Sequence, residues 1–279
     1  MTDPYREIAV HLPNDVLIGG ALITMVEPDP GYEAAYNRWY EDDHFYSGAM
    51  HGPWTFAGRR FVATRALRDR RASVDHPALD PPDAGCYASL YWITRGHEED
   101  NERWSYVAMN DALMPSGRGF PQRRHVYTAF HRYRFGLVRE DGPMKPHLAL
   151  DAGFPGLVIE VVDAPTPSDL GALEGWLREV HLPPVLGSSR AAMVLAFTPV
   201  EFSQGRIDQP GTPPVEPPAG VGRRLCLVWF LDVDPATVSD EELRAHHREL
   251  AAAGLGELVF SGPFVPTAVG TERYVDELR

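Results

Sequence analysis

Short apolar runs and amphipathic stretches follow each other along this chain in the same order twice. Val16–Val26 is apolar throughout apart from Gly19, Gly20 and Thr24. It falls short of the roughly 20 residues that a membrane-spanning helix needs, so it predicts a buried strand. Tyr32–His44 then predicts a helix and Phe56–Ala66 a strand. A polar loop runs from Leu67 to Gly85. Cys86–Thr94 predicts a strand, Asn101–Met114 a helix and Arg124–Phe135 a strand. In the second half, Leu157–Val162 predicts a strand, Ser168–Val180 a helix and Arg190–Thr198 a strand. A loop holding QPGTPPVEPP comes next. Leu225–Asp232 predicts a strand, Asp240–Ala253 a helix and Glu257–Val265 a strand.

The helix ends have physical causes. Ser239 followed by Glu242 is a capping-box pattern, and Gly254 supplies a stop. Thr166 before Pro167 is an N-cap with proline at the first helical position. Leu170, Leu173, Leu177 and Val180 then recur at helical spacing.

Each half therefore reads β-α-β-β-α-β, the split βαβ or ferredoxin-like order. Landmarks support an internal repeat. Trp39 and His44 form W-x4-H, as do Trp176 and His181, 137 positions later; Trp92 and Trp229 are separated by the same 137. The predicted class is α+β, with two tandem ferredoxin-like units at 1–138 and 156–279 and a Gly/Pro-rich linker at 139–155. The helices of such a unit cover one sheet face. The other faces are then expected to meet and enclose a cavity, as an α/β-barrel pseudo-dimer within one chain or as a pairing across a homodimer.

Composition narrows the function. With 26 Lys+Arg against 39 Asp+Glu, the net charge is −13, which argues against a general nucleic-acid binder. No membrane partner is expected. The N-terminus has acids and prolines where a signal peptide would be basic, so a cytoplasmic location is expected. Cys86 and Cys226 are too few for a disulfide scaffold or a zinc motif. His44 with Asp42, Asp43 and His51 has no spacing that compels a metal, so no metal site is expected.

The segment RWYEDDHF…HGPWTFAGRRFVA, Arg38 to Ala63, resembles the dimeric α/β-barrel superfamily, most closely its EthD-like members. Trp39, Tyr40, Asp43, His44, Arg59, Arg60 and Phe61 occupy the motif positions. Gly52-Pro53-Trp54 stands where Pro-Gly-Phe is usual. The second half keeps Trp176 and His181 but has Leu177 and Val180 in place of Tyr and an acid, as a diverged copy would. The superfamily includes cofactor-independent oxygenases, polyketide cyclases and lactone isomerases. It also includes heme proteins with two units per chain, such as chlorite dismutases and dye-decolorising peroxidases.

The residues suggest matching chemistry. Tyr36, Tyr40 and His44 share a helical stripe. His44 is the candidate general base, oriented by Asp43. Tyr40 orients the substrate, and Arg60 holds developing negative charge. One of the adjacent Arg59 and Arg60 must face inward. Strand alternation groups Tyr87, Ser89 and Tyr91 as the cavity wall, with Cys86, Ala88, Leu90 and Trp92 under the helices. It also groups His125, Tyr127, His131, Tyr133 and Phe135. The candidate substrate-binding residues are Tyr36, Trp39, Trp54, Arg59, Tyr87, Tyr91, His125, Tyr127, His131 and Glu160, the last an acid in an apolar strand. Arg65, Arg68, Arg70 and Arg71 form a solvated face or an anion lid.

These features lead to a cofactor-independent enzyme acting on a small aromatic or polyketide-like molecule, of cyclase, isomerase or monooxygenase type, through His-assisted proton abstraction. One alternative is a heme-dependent oxidoreductase with His246 or His247 as the iron ligand. The other is a non-catalytic ligand-binding or oligomerisation barrel.

Overall fold

Period-two alternation organises the whole molecule around a single antiparallel sheet. The computed structural model describes residues 16–73, 83–139, 144–201 and 220–279, together with Arg6. Among these lie β1 (Ile18–Pro28), β2 (Thr55–Val62), β3 (Ala72–Ser73), β4 (Tyr87–Thr94), β5 (Arg123–Val138), β6 (Gly156–Asp163), β7 (Ala191–Pro199), β8 (Arg224–Leu231) and β9 (Glu257–Pro266). The order is β2-β4-β1-β5-β7-β8-β6-β9, with β3 beyond β9. β9 also pairs with β2, through Phe61 opposite Pro266 and Val62 opposite Val265. The sheet thus closes on itself within one chain. Closure removes the unpaired edges that an open sheet presents.

Both halves show the same strand order, β5-β1-β4-β2 and β9-β6-β8-β7. The seam between β5 and β7 runs from His131 opposite Pro199 to Val138 opposite Met193.

The helices cover the outside. α1 (Glu33–Trp39) continues into a π-helix, Tyr40–Met50. α2 (Glu98–Val107) continues into a π-helical stretch, Ala108–Leu113. α3 (Leu170–Trp176) also becomes π-helical, Leu177–His181, before α4 (Leu182–Ser188). α5 (His247–Ala253) follows a separate turn, Asp240–Leu243. The helix expected over Asp240–Ala253 is therefore broken at Arg244–His246. Ser239 accepts from the Glu242 amide at 3.2 Å, Gly254 ends α5 at φ +66°, and Thr166 and Asp169 form a capping box.

The inside of the barrel is packed rather than hollow. Ile23, Leu90, Ile159, Leu195, Val228 and Phe264 are completely buried there. Trp92 stacks on Phe197, 5.2 Å between centroids, although β4 and β7 are not neighbours in the sheet. The cavity expected between facing sheets is not found among the described residues. Open space lies instead between the sheet and its helices. On β4 the expected sides are reversed: Cys86, Ala88, Leu90 and Trp92 fill the barrel, and Tyr87, Ser89 and Tyr91 lie under the helices. A space sealed by strands all round favours the apolar set, because a hydroxyl there needs a partner supplied from within, as His131 is for Tyr127.

Bulges redirect two other expectations. Met25 faces Tyr127 while Val26 faces His125, so Val126 is an extra residue that splits the alternating set. His125 joins the helix side, whereas Tyr127 and His131 stay inside the barrel. A second break separates Tyr133 from Phe135. The Trp92–Trp229 landmark fails as a match: Trp92 points into the barrel, and Trp229 lies with the α3 and α4 leucines outside it.

The arginine cluster is neither a lid nor a solvated face as a whole. Arg71 donates to the Ala84 and Gly85 carbonyls at 2.6 and 2.8 Å and covers the Phe260 and Phe264 rings. Arg68 is buried against Leu278 and Glu27. Arg70 holds the Pro235 carbonyl and Asp240. Arg65, paired with Asp69, alone stays exposed. The stretch expected as a linker is partly core: Ala149 and Leu150 are buried against the barrel.

Candidate functional site

The W-x4-H motif acquires its meaning from the helix that carries it. In an α-helix, residues five apart point in different directions. After Trp39 the chain winds with i→i+5 hydrogen bonds, as from the His51 amide to the Tyr46 carbonyl at 2.7 Å. Trp39 and His44 then lie face to face, 4.4 Å between centroids at 16°. Trp176 and His181 repeat this in the second half, at 4.4 Å and 11°. Gly48 lies beneath the first histidine: a Cβ there would come within 2.5 Å of His44 Nδ1. No side chain other than hydrogen leaves the ring in place.

Tyr36, Tyr40 and His44 line a cavity of about 160 Å³ between this helix and the sheet. The opposite wall includes Thr24, Tyr91, Arg123, His125 and Phe130. The Tyr40 and Tyr91 hydroxyls share a hydrogen bond of 2.7 Å. Burial, then the neighbouring Tyr40, raises Tyr91 well above its ordinary value, so it remains a proton carrier. Burial, with Arg123 and His125 adding to it, lowers the half-buried His44 to about 3. At neutral pH its imidazole is uncharged. Among the described residues no hydrogen bond reaches either ring nitrogen of His44.

Two further groups in this wall lack partners. Thr24 Oγ1 and Arg123 Nη1 are buried without a hydrogen bond. Arg123 lies over the Trp39 ring at 4.5 Å and donates from Nε to His125 Nε2 at 3.2 Å. A buried donor left unmade costs about 1–3 kcal/mol. Both residues line the cavity, but these two atoms lie behind its surface.

Several predicted residues are engaged elsewhere. Asp43 does not orient His44: it pairs with Arg118 and accepts from Ser47 at 2.8 Å, and Arg118 holds its carboxyl below the usual range. Arg60 is buried between the Tyr40 and Tyr87 rings, 4.3 and 5.0 Å away, and bonds Asn37 and Glu41. It braces the helix from behind, and Tyr87 is its platform rather than a cavity wall. Arg59 donates to the Leu150 and Ala152 carbonyls. Trp54 adopts φ +70° and stacks on His97 at 3.5 Å, outside the cavity. His131 bonds Tyr127 at 2.7 Å and the Ala129 carbonyl at 3.0 Å. Both its nitrogens are used inside the barrel, and Tyr127 is spent on it. The residues missed were Thr24, Gly48 and Arg123. Nothing in the sequence set Arg123 apart from other arginines.

Glu160 belongs to a second cluster, under the helices of the other half. It is buried and receives four donors: Trp229 Nε1 at 2.7 Å, His247 Nε2 at 2.6 Å, Ser261 Oγ at 3.1 Å and His246 Nε2 at 3.2 Å. Burial opposes its ionisation, but His246 and His247 outweigh that and hold the carboxyl below its ordinary value. His246 Nδ1 meets His181 Nε2 at 3.3 Å.

Heme, which the superfamily resemblance brings with it, does not fit this second cluster as arranged. Both nitrogens of His246 and Nε2 of His247 face protein groups. The adjoining cavity is about 170 Å³, below the roughly 300 Å³ at which drug-sized pockets begin.

No protein-family model matches the chain, and no curated protein matches it. Among solved structures, an anthrone oxidase-like protein aligns over 92% of this chain and 95% of its own, at 8% identity and a TM-score of 0.49. A DypB variant from Rhodococcus jostii RHA1, in complex with heme, aligns over 93% and 96% at 12% identity and 0.49. A dye-decolorizing peroxidase from Bacteroides thetaiotaomicron aligns over 92% and 96% at 10% identity and 0.47. Likeness at this level says nothing of chemistry. No helix among the described residues is long and apolar enough to cross a membrane.

Proposed function

We propose that the chain is a tandem of two ferredoxin-like units, 1–138 and 156–279, and that the first unit is a cofactor-independent enzyme acting on a small aromatic molecule. The equal strand order of the two halves and the repeated Trp–His stack support the tandem. The observation that carries the function is His44, whose ring nitrogens no described residue bonds, set beside the Tyr40–Tyr91 hydroxyl pair in the wall of one aromatic-lined cavity.

Size limits the substrate. A 150 Å³ apolar cavity takes benzene, so about 160 Å³ suits a single ring with an acidic or enolisable oxygen substituent. A fused polyketide would need the wall to open. His44 takes a proton from the substrate, and the negative charge left on its oxygen is met by the Arg123 cation in the cavity wall. That anion in turn raises the imidazole from its low resting value, so the proton is retained only while the charge is present. The Tyr40–Tyr91 pair supplies a proton for return and is refilled by the proton that His44 holds, so both are reset at the end of the cycle. Cyclase, isomerase and monooxygenase chemistry all start from this step.

The test is solvent-deuterium exchange into single-ring phenols and cyclic diketones, followed by NMR. The wild type should exchange a carbon-bound hydrogen. His44→Ala should still bind, by thermal shift, but exchange at the uncatalysed rate. Unchanged exchange in His44→Ala overturns the proposal.

A further inference from the structure

We propose that Glu160, His246 and His247 form a binding site for one divalent first-row transition-metal ion. One ligand atom from each residue lies within 4.8 Å of the others, and both Nε2 atoms approach the same carboxylate oxygen, at 3.2 and 2.6 Å. The ligands come from two separate elements. β6 supplies Glu160, whose outward side of the strand is otherwise apolar, with Val158 and Val162 on it. The start of α5 supplies the adjacent histidines, His246 as its N-cap and His247 as its first residue, and both Nε2 atoms reach the same carboxylate. A continuous helix would point neighbouring side chains about 100° apart.

The donor set selects the ion. Two imidazoles and one carboxylate suit Zn²⁺, Fe²⁺ or Co²⁺. Ca²⁺ and Mg²⁺ call for oxygen ligands throughout. A porphyrin iron needs a ring nitrogen facing a broad flat space, whereas a bare ion needs ligand atoms that face each other, as these do.

The surroundings match what metal ligands require. Trp229 and Ser261 donate to the carboxylate and fix its plane. His246 can give Nε2 to an ion only if its proton sits on Nδ1, and His181 Nε2 waits there at 3.3 Å to accept it. His181 is itself held by the Trp176 stack, with Glu249 at 3.6 Å from Nδ1. Outer partners of this kind orient ligands and set affinity. The cavity of about 170 Å³ includes Glu160 and His246 in its wall and reaches the exposed Ser188 and Arg190. Three protein ligands beside such a space leave a coordination position for water or a small anion. The site is separate from the His44 cavity and does not depend on that reading.

The experiment is titration of chelator-treated protein with CoCl₂, followed by visible spectroscopy and by displacement with Zn²⁺. The wild type should develop d–d bands that saturate at one Co²⁺ per chain. Glu160→Gln and His247→Asn should abolish them, Trp229→Phe should weaken binding by ~10–100-fold, and His44→Ala should change nothing. Absence of bands in the wild type, or full bands in His247→Asn, overturns the site. If a ligand variant fails to fold by circular dichroism, the Co²⁺-loaded wild type decides by proton NMR. Paramagnetic shifts on the His246 and His247 rings uphold the site, and shifts confined to other histidines overturn it.

Discussion

The His44 imidazole rests on the Trp39 indole because the helix between them is wound too wide to be an α-helix. That relationship determines which way the ring faces and what a ligand would meet.

Gly48 keeps that arrangement possible. Gly48→Ala places a Cβ 2.5 Å from His44 Nδ1, so the ring must leave the indole. The expected cost is about 1–3 kcal/mol of stability, read from urea unfolding. Ligand affinity should fall at the same time, by thermal shift.

The pH dependence of turnover follows from the neutrality of His44. Its imidazole is held at about 3, far below the ordinary 6.5. As free base it is available throughout the neutral range, so kcat/KM should be flat from about pH 5 to 8. An acid limb near 6.5 would be the signature of an ordinary histidine. A stopped assay across that range distinguishes the two.

His131 should contribute to acid sensitivity. Burial lowers it to about 3 in the folded protein, while unfolding restores about 6.5. The unfolded chain therefore binds the extra proton between these values. Stability is unaffected above about 6.5 and falls as the pH drops below it. His131→Gln should flatten part of that slope in denaturant melts repeated from pH 7 to 4.

Hemin added to the purified protein should give no Soret band that depends on His246 or His247. Their nitrogens face Glu160 and His181 rather than a porphyrin-sized space. A sharp band lost in His246→Ala would show that the cluster rearranges to take heme.

Much of the fold was legible in the chain. Strands and helices followed the spacing of apolar residues, and the caps at Ser239, Thr166 and Gly254 formed as their residue types require. What periodicity could not give was the side each set would face. Tyr87 and Cys86 alternate equally well either way, and closure of the sheet decides between them. The extra residue Val126 moved His125 away from Tyr127, and a bulge leaves no compositional mark. The Tyr36–Tyr40–His44 stripe was readable from spacing alone. Arg123 was not, because its importance comes from its place in the cavity wall, not from its type or neighbours. Asp43 was misread because an acid adjacent in sequence to a histidine was assumed to be adjacent in space. Its true partner, Arg118, is distant in sequence.

The two seams that close the sheet join strands from opposite halves of the chain: β5 to β7, and β2 to β9. A nascent first half has both of its borders bare until the second half is synthesised. The second half of another molecule carries the same complementary borders. The length of chain between Val138 and Gly156 therefore governs whether a polypeptide shuts upon itself or trades halves with its neighbour. Shortening that connection favours the exchanged dimer, in which each cylinder is built from two molecules yet keeps every strand pairing seen here.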